Sequence, residues 1–309
     1  MDRKKIHKSI SRFTAWVGLI LCSLIVRSIP ASLIYSFARN LAAFGFVVLG
    51  KHRRIALDSL EIAFGNEKSL KERRKIAKDC FILMAKSAVE LIFLSDKPEL
   101  MKRHASLEGR RYLDEALSKG RGVVLVSAHF GNFPLMLCKL TLEGYSAGAI
   151  MRQMRDSRSE KFFNDLRGDL KVKTIFSQPR QACVENTLKA LRNNEIVFMP
   201  IDQNFGTGGV FVDFFGRKAA TATGPVVFAL RTKAVILPCF TVRQKDDTHK
   251  IIFESPIDLD RDENRKGIIL YTIQKLTNII ESYIRKYPAQ WGWIHRRWKS
   301  KLNLKEGGV

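Results

Sequence analysis

Paired cysteines are missing from this chain: Cys22, Cys80, Cys138, Cys183 and Cys239 are scattered, with no CxxC and no histidine at ligand spacing. That pattern argues against a disulfide framework or a cysteine-built zinc site and fits a reducing compartment. There is no HExxH, no Walker loop and no GxGxxG after a strand, so no metal and no cofactor is expected. Zinc-finger spacing, an RNA-recognition signature and a basic zipper are absent, so no nucleic-acid partner is expected. No apolar run reaches the roughly 18 uncharged residues of a clear transmembrane helix. Internal repeats and low-complexity linkers are absent as well.

Acidic residues are scarce beside basic ones: 30 Asp and Glu stand against 53 Lys and Arg, a net charge of +23. A field of that size favours polyanionic partners such as anionic lipid headgroups, nucleic acid, or a phosphorylated substrate and carrier. With 27% charged residues the chain is not a polytopic membrane protein, and aromatic and β-branched residues throughout exclude disorder. Its 309 residues suit one large domain or two small ones.

Residues 1–50 read as a membrane-associating segment. Arg3, Lys4, Lys5, Lys8 and Arg12 precede the uncharged run Phe13 to Val26; a second apolar stretch, Ala31 to Phe46, ends at Lys51, His52, Arg53 and Arg54. A signal peptide and a buried helical hairpin are the alternatives. Basic clusters on both flanks favour helices that span once or lie in the interface, with the clusters on the cytoplasmic side.

Residues 51–309 read as one α/β domain with a mixed, largely parallel sheet flanked by helices. Ser69-x-x-Glu72 is a capping box opening a helix whose apolar stripe is packing. Val123 to Ser127 is a β-branched run with the character of a strand buried on both faces, and a helix follows from Phe133 to Leu142 with Pro134 in its first turn. Further strands are expected at 147–151, 173–176, 196–201, 235–243 and 250–254. Helices are expected at 157–167, 181–193, 224–232 and 265–286, an alternation that argues a single domain.

Ligands in such sheets gather beyond the carboxyl ends of strands. Two polar clusters fall there, His129 to Asn132 and Asp202-Gln203-Asn204, and a Gly-rich loop from Gly206 to Gly224 follows the second. His129 suits a general base, and the backbone N–H groups of Gly131 and Asn132 could hold an oxyanion or phosphate. Phe214-Phe215 could wall an apolar slot. A lone strand-end histidine or aspartate is by itself more often structural.

The stretches VSAHFGNFPLM, MPIDQNFGTGGVFVDFFGRKAATATG and WGWIHRRWK, with ALDSLEIAFG before them, together resemble the late acyltransferases of lipid A biosynthesis, within the membrane-bound lysophospholipid acyltransferase group. The resemblance implies a cytoplasm-facing enzyme of the inner membrane. Such an enzyme moves a fatty acyl chain from acyl carrier protein, or less readily acyl-CoA, to a hydroxyl of an anionic glycolipid acceptor such as a lipid A precursor. Its histidine acts as general base with no acyl-enzyme. The family places an acid five residues after that histidine, and Pro134 stands there. Asp202 is the candidate replacement, with Asn132 a second; a catalytically weak or inactive protein that binds lipid or a partner is the alternative. Arg152 matches a family arginine and could clamp a phosphate. Gln203, Arg296 and Arg297 are expected to bind substrate. The corner of His295, Arg296, Arg297 and Lys299 among Trp291, Trp293 and Trp298 reads as a headgroup site or an interfacial belt. Thr221 and Thr223 are expected to shape the loop.

Overall fold

The run Val123 to Ser127 is buried along its whole length, as its composition requires, and it lies at the centre of the sheet. The computed structural model describes residues 3–259 and 264–301. Residues 302–309, at the end of the expected domain, lie outside the described residues, as do the side chains of Arg3, Lys4, Lys5 and Lys8.

The helices are α1 (Arg3–Ser28), α2 (Ile34–Val48), α3 (Gly50–Phe64), α4 (Leu70–Leu94), α5 (Pro98–His104), α6 (Arg110–Ser118), α7 (Phe133–Leu142), α8 (Ser157–Asp169), α9 (Arg180–Arg192), α10 (Gly224–Thr232) and α11 (Arg265–Lys286). The strands are β1 (Ala105–Glu108), β2 (Val123–Ser127), β3 (Ala147–Met151), β4 (Lys173–Phe176), β5 (Ile196–Pro200), β6 (Val210–Phe214), β7 (Arg217–Thr221), β8 (Val235–Arg243) and β9 (His249–Phe253).

Seven strands form one sheet in the order β1-β9-β8-β2-β5-β3-β4. The five from β8 to β4 run parallel; β9 pairs antiparallel with β8, and β1 runs parallel to β9. The sheet is therefore mixed and largely parallel, with helices on both faces. Strand period two divides the core: Val124 and Val126 face a layer with α9, α10 and α11, whereas Val123 and Leu125 face α6, α7 and α8.

The capping box at the start of α4 is complete: the Ser69 hydroxyl accepts from the Glu72 N–H, and the Glu72 carboxylate accepts from the Ser69 N–H. Several elements go beyond the sequence expectation, among them α5, α6, β1 and the hairpin of β6 and β7. Four-residue β1 buries only Ala105, too little to make a pattern. Inside the Gly-rich loop, β6 and β7 form an antiparallel hairpin whose turn residues Phe215 and Gly216 both have positive φ, the geometry of a tight hairpin turn.

At the amino terminus, Ser9–Ser28 and Ala31–Val48 are each long and apolar enough to cross a membrane, and only 11% and 17% of the two stretches is buried within the protein. Most of the large exposed apolar side chains among the described residues lie here, among them Phe13, Leu21, Leu24, Phe44, Val47 and Val48. An apolar surface of that extent marks a membrane or partner face. The opposite side of α2 packs on α4 through Ile34 and Ala38, so the segment is fastened to the domain.

Candidate active site

Strand register brings two polar groups together. Ser127 at the end of β2 is paired with Pro200 at the end of β5, and the Ile201 N–H donates to the Ser127 carbonyl at 3.2 Å. Two residues beyond each paired end stand His129 and Asp202. One Asp202 oxygen lies 2.9 Å from His129 Nδ1, and the other accepts the His129 backbone N–H at 2.9 Å. The second oxygen also accepts the Trp291 indole N–H at 2.7 Å. An ionised carboxylate at Nδ1 fixes the tautomer that carries its proton there and leaves Nε2 as the acceptor. Nε2 has no protein partner among the described residues.

Asp202 is 3% exposed. Burial pushes its carboxyl group up, but the His129 charge and the three hydrogen bonds outweigh it and hold the pKa at about 2. For His129 burial favours the neutral ring; the Asp202 charge and hydrogen bond outweigh that too, so its pKa lies above the ordinary imidazole value.

The turn after His129 is held from outside the sheet. The Gly131 N–H donates to the Gln290 carbonyl at 2.8 Å, and the Gly292 N–H donates to the His129 carbonyl at 3.0 Å. Gly131 has φ +56°, and a Cβ there would lie 1.7 Å from the Thr241 carbonyl oxygen, so no other residue fits. Asn132 then caps α7, its side-chain oxygen accepting the Leu135 N–H. The N–H groups of Asn132 and Phe133 have no protein acceptor among the described residues.

A cavity of about 340 Å³ opens beside His129. Leu19 of α1, Leu83, Ala88 and Leu91 of α4, Phe133 of α7 and Phe163 of α8 give it an apolar wall, and His129, Gly131 and Asn132 line it as well. Phe214 and Phe215 do not: they are buried against Trp291, Trp293 and Trp298 on the other side of the sheet.

The remaining expected residues fall apart into two groups. Arg152 just beyond β3, Gln203 and Arg296 are exposed. Arg297 is 1% exposed, and its guanidinium donates to the carbonyls of Gln203 and Ala220 and to the Thr221 hydroxyl, so it clasps the loop and is not presented to a headgroup. Burial lowers its pKa to about 10. Trp291 and Trp293 are core residues, not an interfacial belt. Gly131 offers no free N–H, since Gln290 takes it.

A buried cluster around Glu90 of α4 went unread in the sequence. Its carboxylate, 0% exposed, takes hydrogen bonds from Tyr35, Asn132 and both terminal nitrogens of Arg243, with His104 and His249 Nε2 also in contact. Glu90, His104 and His249 have ligand atoms within 4.8 Å of one another, but the Arg243 fork saturates the carboxylate and opposes a second cation. The local hint was a charge inside the apolar run Val89 to Leu94.

Comparison with known proteins agrees with the motifs. The chain is 26% identical over 295 residues to the lipid A biosynthesis palmitoleoyltransferase of Escherichia coli (strain K12), covering 93% of this chain and 91% of that protein. It is 24% identical to the lipid A biosynthesis lauroyltransferase of the same strain, with the same coverage. Over 196 residues, 63% of this chain and 60% of the relative, it is 25% identical to the phosphatidylinositol mannoside acyltransferase of Mycobacterium tuberculosis (strain CDC 1551 / Oshkosh). The profile of the bacterial lipid A biosynthesis acyltransferases matches residues 1–300, nearly the whole length, and the chain belongs to that family.

Proposed function

We propose that this acyltransferase moves a fatty acyl chain from an acyl thioester to a hydroxyl of an anionic glycolipid such as a lipid A precursor, with His129 as general base. His129 Nε2 takes the hydroxyl proton while the oxygen attacks the thioester carbonyl. The C–O bond forms, the C–S bond breaks, and the imidazolium returns its proton to the leaving thiolate. Asp202 holds the ring and stabilises the imidazolium, as the carboxylate of a hydrolase triad does. The N–H groups of Asn132 and Phe133 are the candidate donors to the oxyanion. The apolar cavity takes the chain.

The observation that carries this reading is the contact of Asp202 with Nδ1, which leaves Nε2 free at the mouth of the cavity. The family's acid is replaced by Pro134, the feature that favours a non-catalytic lipid binder on the same scaffold. Asp202 supplies from the neighbouring strand the charge that Pro134 lacks. The net charge of +23 supports acyl carrier protein as donor over acyl-CoA, since acidic carriers are steered by a basic surface. Exposed Arg152, Gln203 and Arg296 are the candidates for the acceptor's anionic groups. The apolar helices with their basic flanks support the inner membrane with the site toward the cytoplasm.

Membranes carrying the protein, incubated with labelled acyl donor and candidate acceptors, test the reading. Label is expected in a glycolipid and is lost in His129→Ala at equal protein level. Absence of transfer from any donor, or full transfer by His129→Ala, contradicts it.

A further inference from the structure

The Glu90 cluster reaches the site at two points. Asn132 Nδ2 donates to Glu90 Oε2 at 2.7 Å, while Asn132 Oδ1 accepts the Leu135 N–H at 3.3 Å. The amide is thereby held between a buried charge and the first turn of α7, with its orientation determined by both ends. Arg243, bonded to Glu90 through both terminal nitrogens, exchanges two hydrogen bonds with the Gln290 amide, and the Gln290 carbonyl takes the Gly131 N–H. Asn132 Nδ2 also donates to the Ser87 carbonyl at 3.3 Å, one turn before Glu90 on α4, so residues 131 and 132 are tied to Glu90 both directly and through the strand end that Arg243 anchors.

A buried charge with this many donors costs much desolvation and is weak evidence of stability for its own sake. Position explains it better, because the backbone it fixes carries the unpaired N–H groups of Asn132 and Phe133 beside the cavity. We propose that Glu90 is a positioning residue for acyl transfer, acting through Asn132 to aim those N–H groups at the developing oxyanion. The inference rests on the general-base reading of His129 and adds a second arm to it: Asp202 sets the imidazole, and Glu90 sets the donors opposite. Donors that matter only when charge develops act on turnover rather than on substrate binding.

Glu90→Gln is the direct test, but it removes the charge that Arg243 meets with both terminal nitrogens, leaving Asp247 as its ion-pair partner, and can unfold the chain. Asn132→Ser avoids this, because serine keeps the cap of α7 and removes the amide that donates to Glu90 and, at 3.3 Å, to the Ser87 carbonyl. In the purified full chain with labelled acyl thioester and acceptor, Asn132→Ser is expected to lower kcat about 10- to 100-fold, the cost of a misplacement near 1 Å, with KM for both substrates within about twofold. Combined with Glu90→Gln, the two losses are expected to overlap rather than multiply, since both cut one link. Wild-type kcat in Asn132→Ser, a change confined to KM, or multiplying losses overturns the inference while leaving His129 as base. A wild type that transfers no acyl group overturns both readings together.

Discussion

Asp202 meets His129 twice, once at the ring through Nδ1 and once at the backbone through the N–H, each at 2.9 Å. The double contact ties imidazole orientation to the strand register, because both residues stand two positions past the paired ends of β2 and β5. A carboxylate on α7 could hold the ring but not the backbone of its own turn in this way. Pro134 is thus compatible with an oriented histidine, and it suits the first turn of α7 on its own account, where no N–H is needed.

The pH dependence follows. Only neutral imidazole accepts a proton, so kcat/KM should rise with pH through the His129 pKa, which lies above the ordinary value of about 6.5. Asp202→Asn should move that acid limb downward. Stability has the opposite sign at its two ends. The raised His129 pKa contributes stability that is full below its unfolded value and lost as pH rises through the folded one. The depressed Asp202 pKa contributes stability present above about 3.9 and lost as pH falls toward about 2. Urea midpoints of wild type and Asp202→Asn should therefore differ most between those limits, draw closer as pH rises through the His129 pKa, and converge as pH falls toward about 2.

Trp291→Phe removes the indole donor from a buried carboxylate and leaves the ring volume nearly filled. We expect a stability loss of about 1–3 kcal/mol and a fall in kcat, because Asp202 loses one of three bonds. Thermal unfolding and steady-state transfer measure the two effects separately.

Arg296 and Arg297 are neighbours with opposite fates. Arg297→Lys should lower the melting temperature, since an ammonium cannot bridge Gln203, Ala220 and Thr221 as the guanidinium does, with acceptor KM unchanged in the folded fraction. Arg296→Ala should leave the melting temperature alone and raise acceptor KM. A KM change in Arg297→Lys alone would reverse the assignment.

Leu19 makes α1 part of the cavity. Leu19→Phe should shift donor preference toward shorter acyl chains and Leu19→Ala toward longer ones. Competition among acyl thioesters of graded length measures this, and an unchanged profile in both variants places the chain elsewhere.

Legibility in the sequence followed how local each signal was. β2, β3, β4 and β8 were readable at their observed bounds; for β2 and β8 the reason is an apolar, β-branched-rich run buried on both faces, which needs no partner to be recognised. α7 was readable from Pro134 in its first turn. β1, α5 and α6 were too short to show a period, and the β6–β7 hairpin lay hidden among glycines that read as loop. At the site, His129 and Asp202 stood out as polar residues at strand ends. Trp291, Trp293 and Arg297 were read as surface because their burial depends on contacts with Asp202, Phe64 and Thr221, made across 76 or more residues. Glu90 disappeared into an apolar stripe, since its partners come from α2, the α5–β1 junction, the start of α7, β8 and β9.

The kcat of Asp202→Asn for acyl transfer bears most directly on the central claim. Asparagine keeps the shape and can still accept from Trp291, so the fold should survive and a melting curve will verify it. The account predicts a fall on the order of 10³- to 10⁴-fold, the loss seen when a triad carboxylate is neutralised. Turnover equal to that of the wild type in a folded Asp202→Asn protein would contradict it.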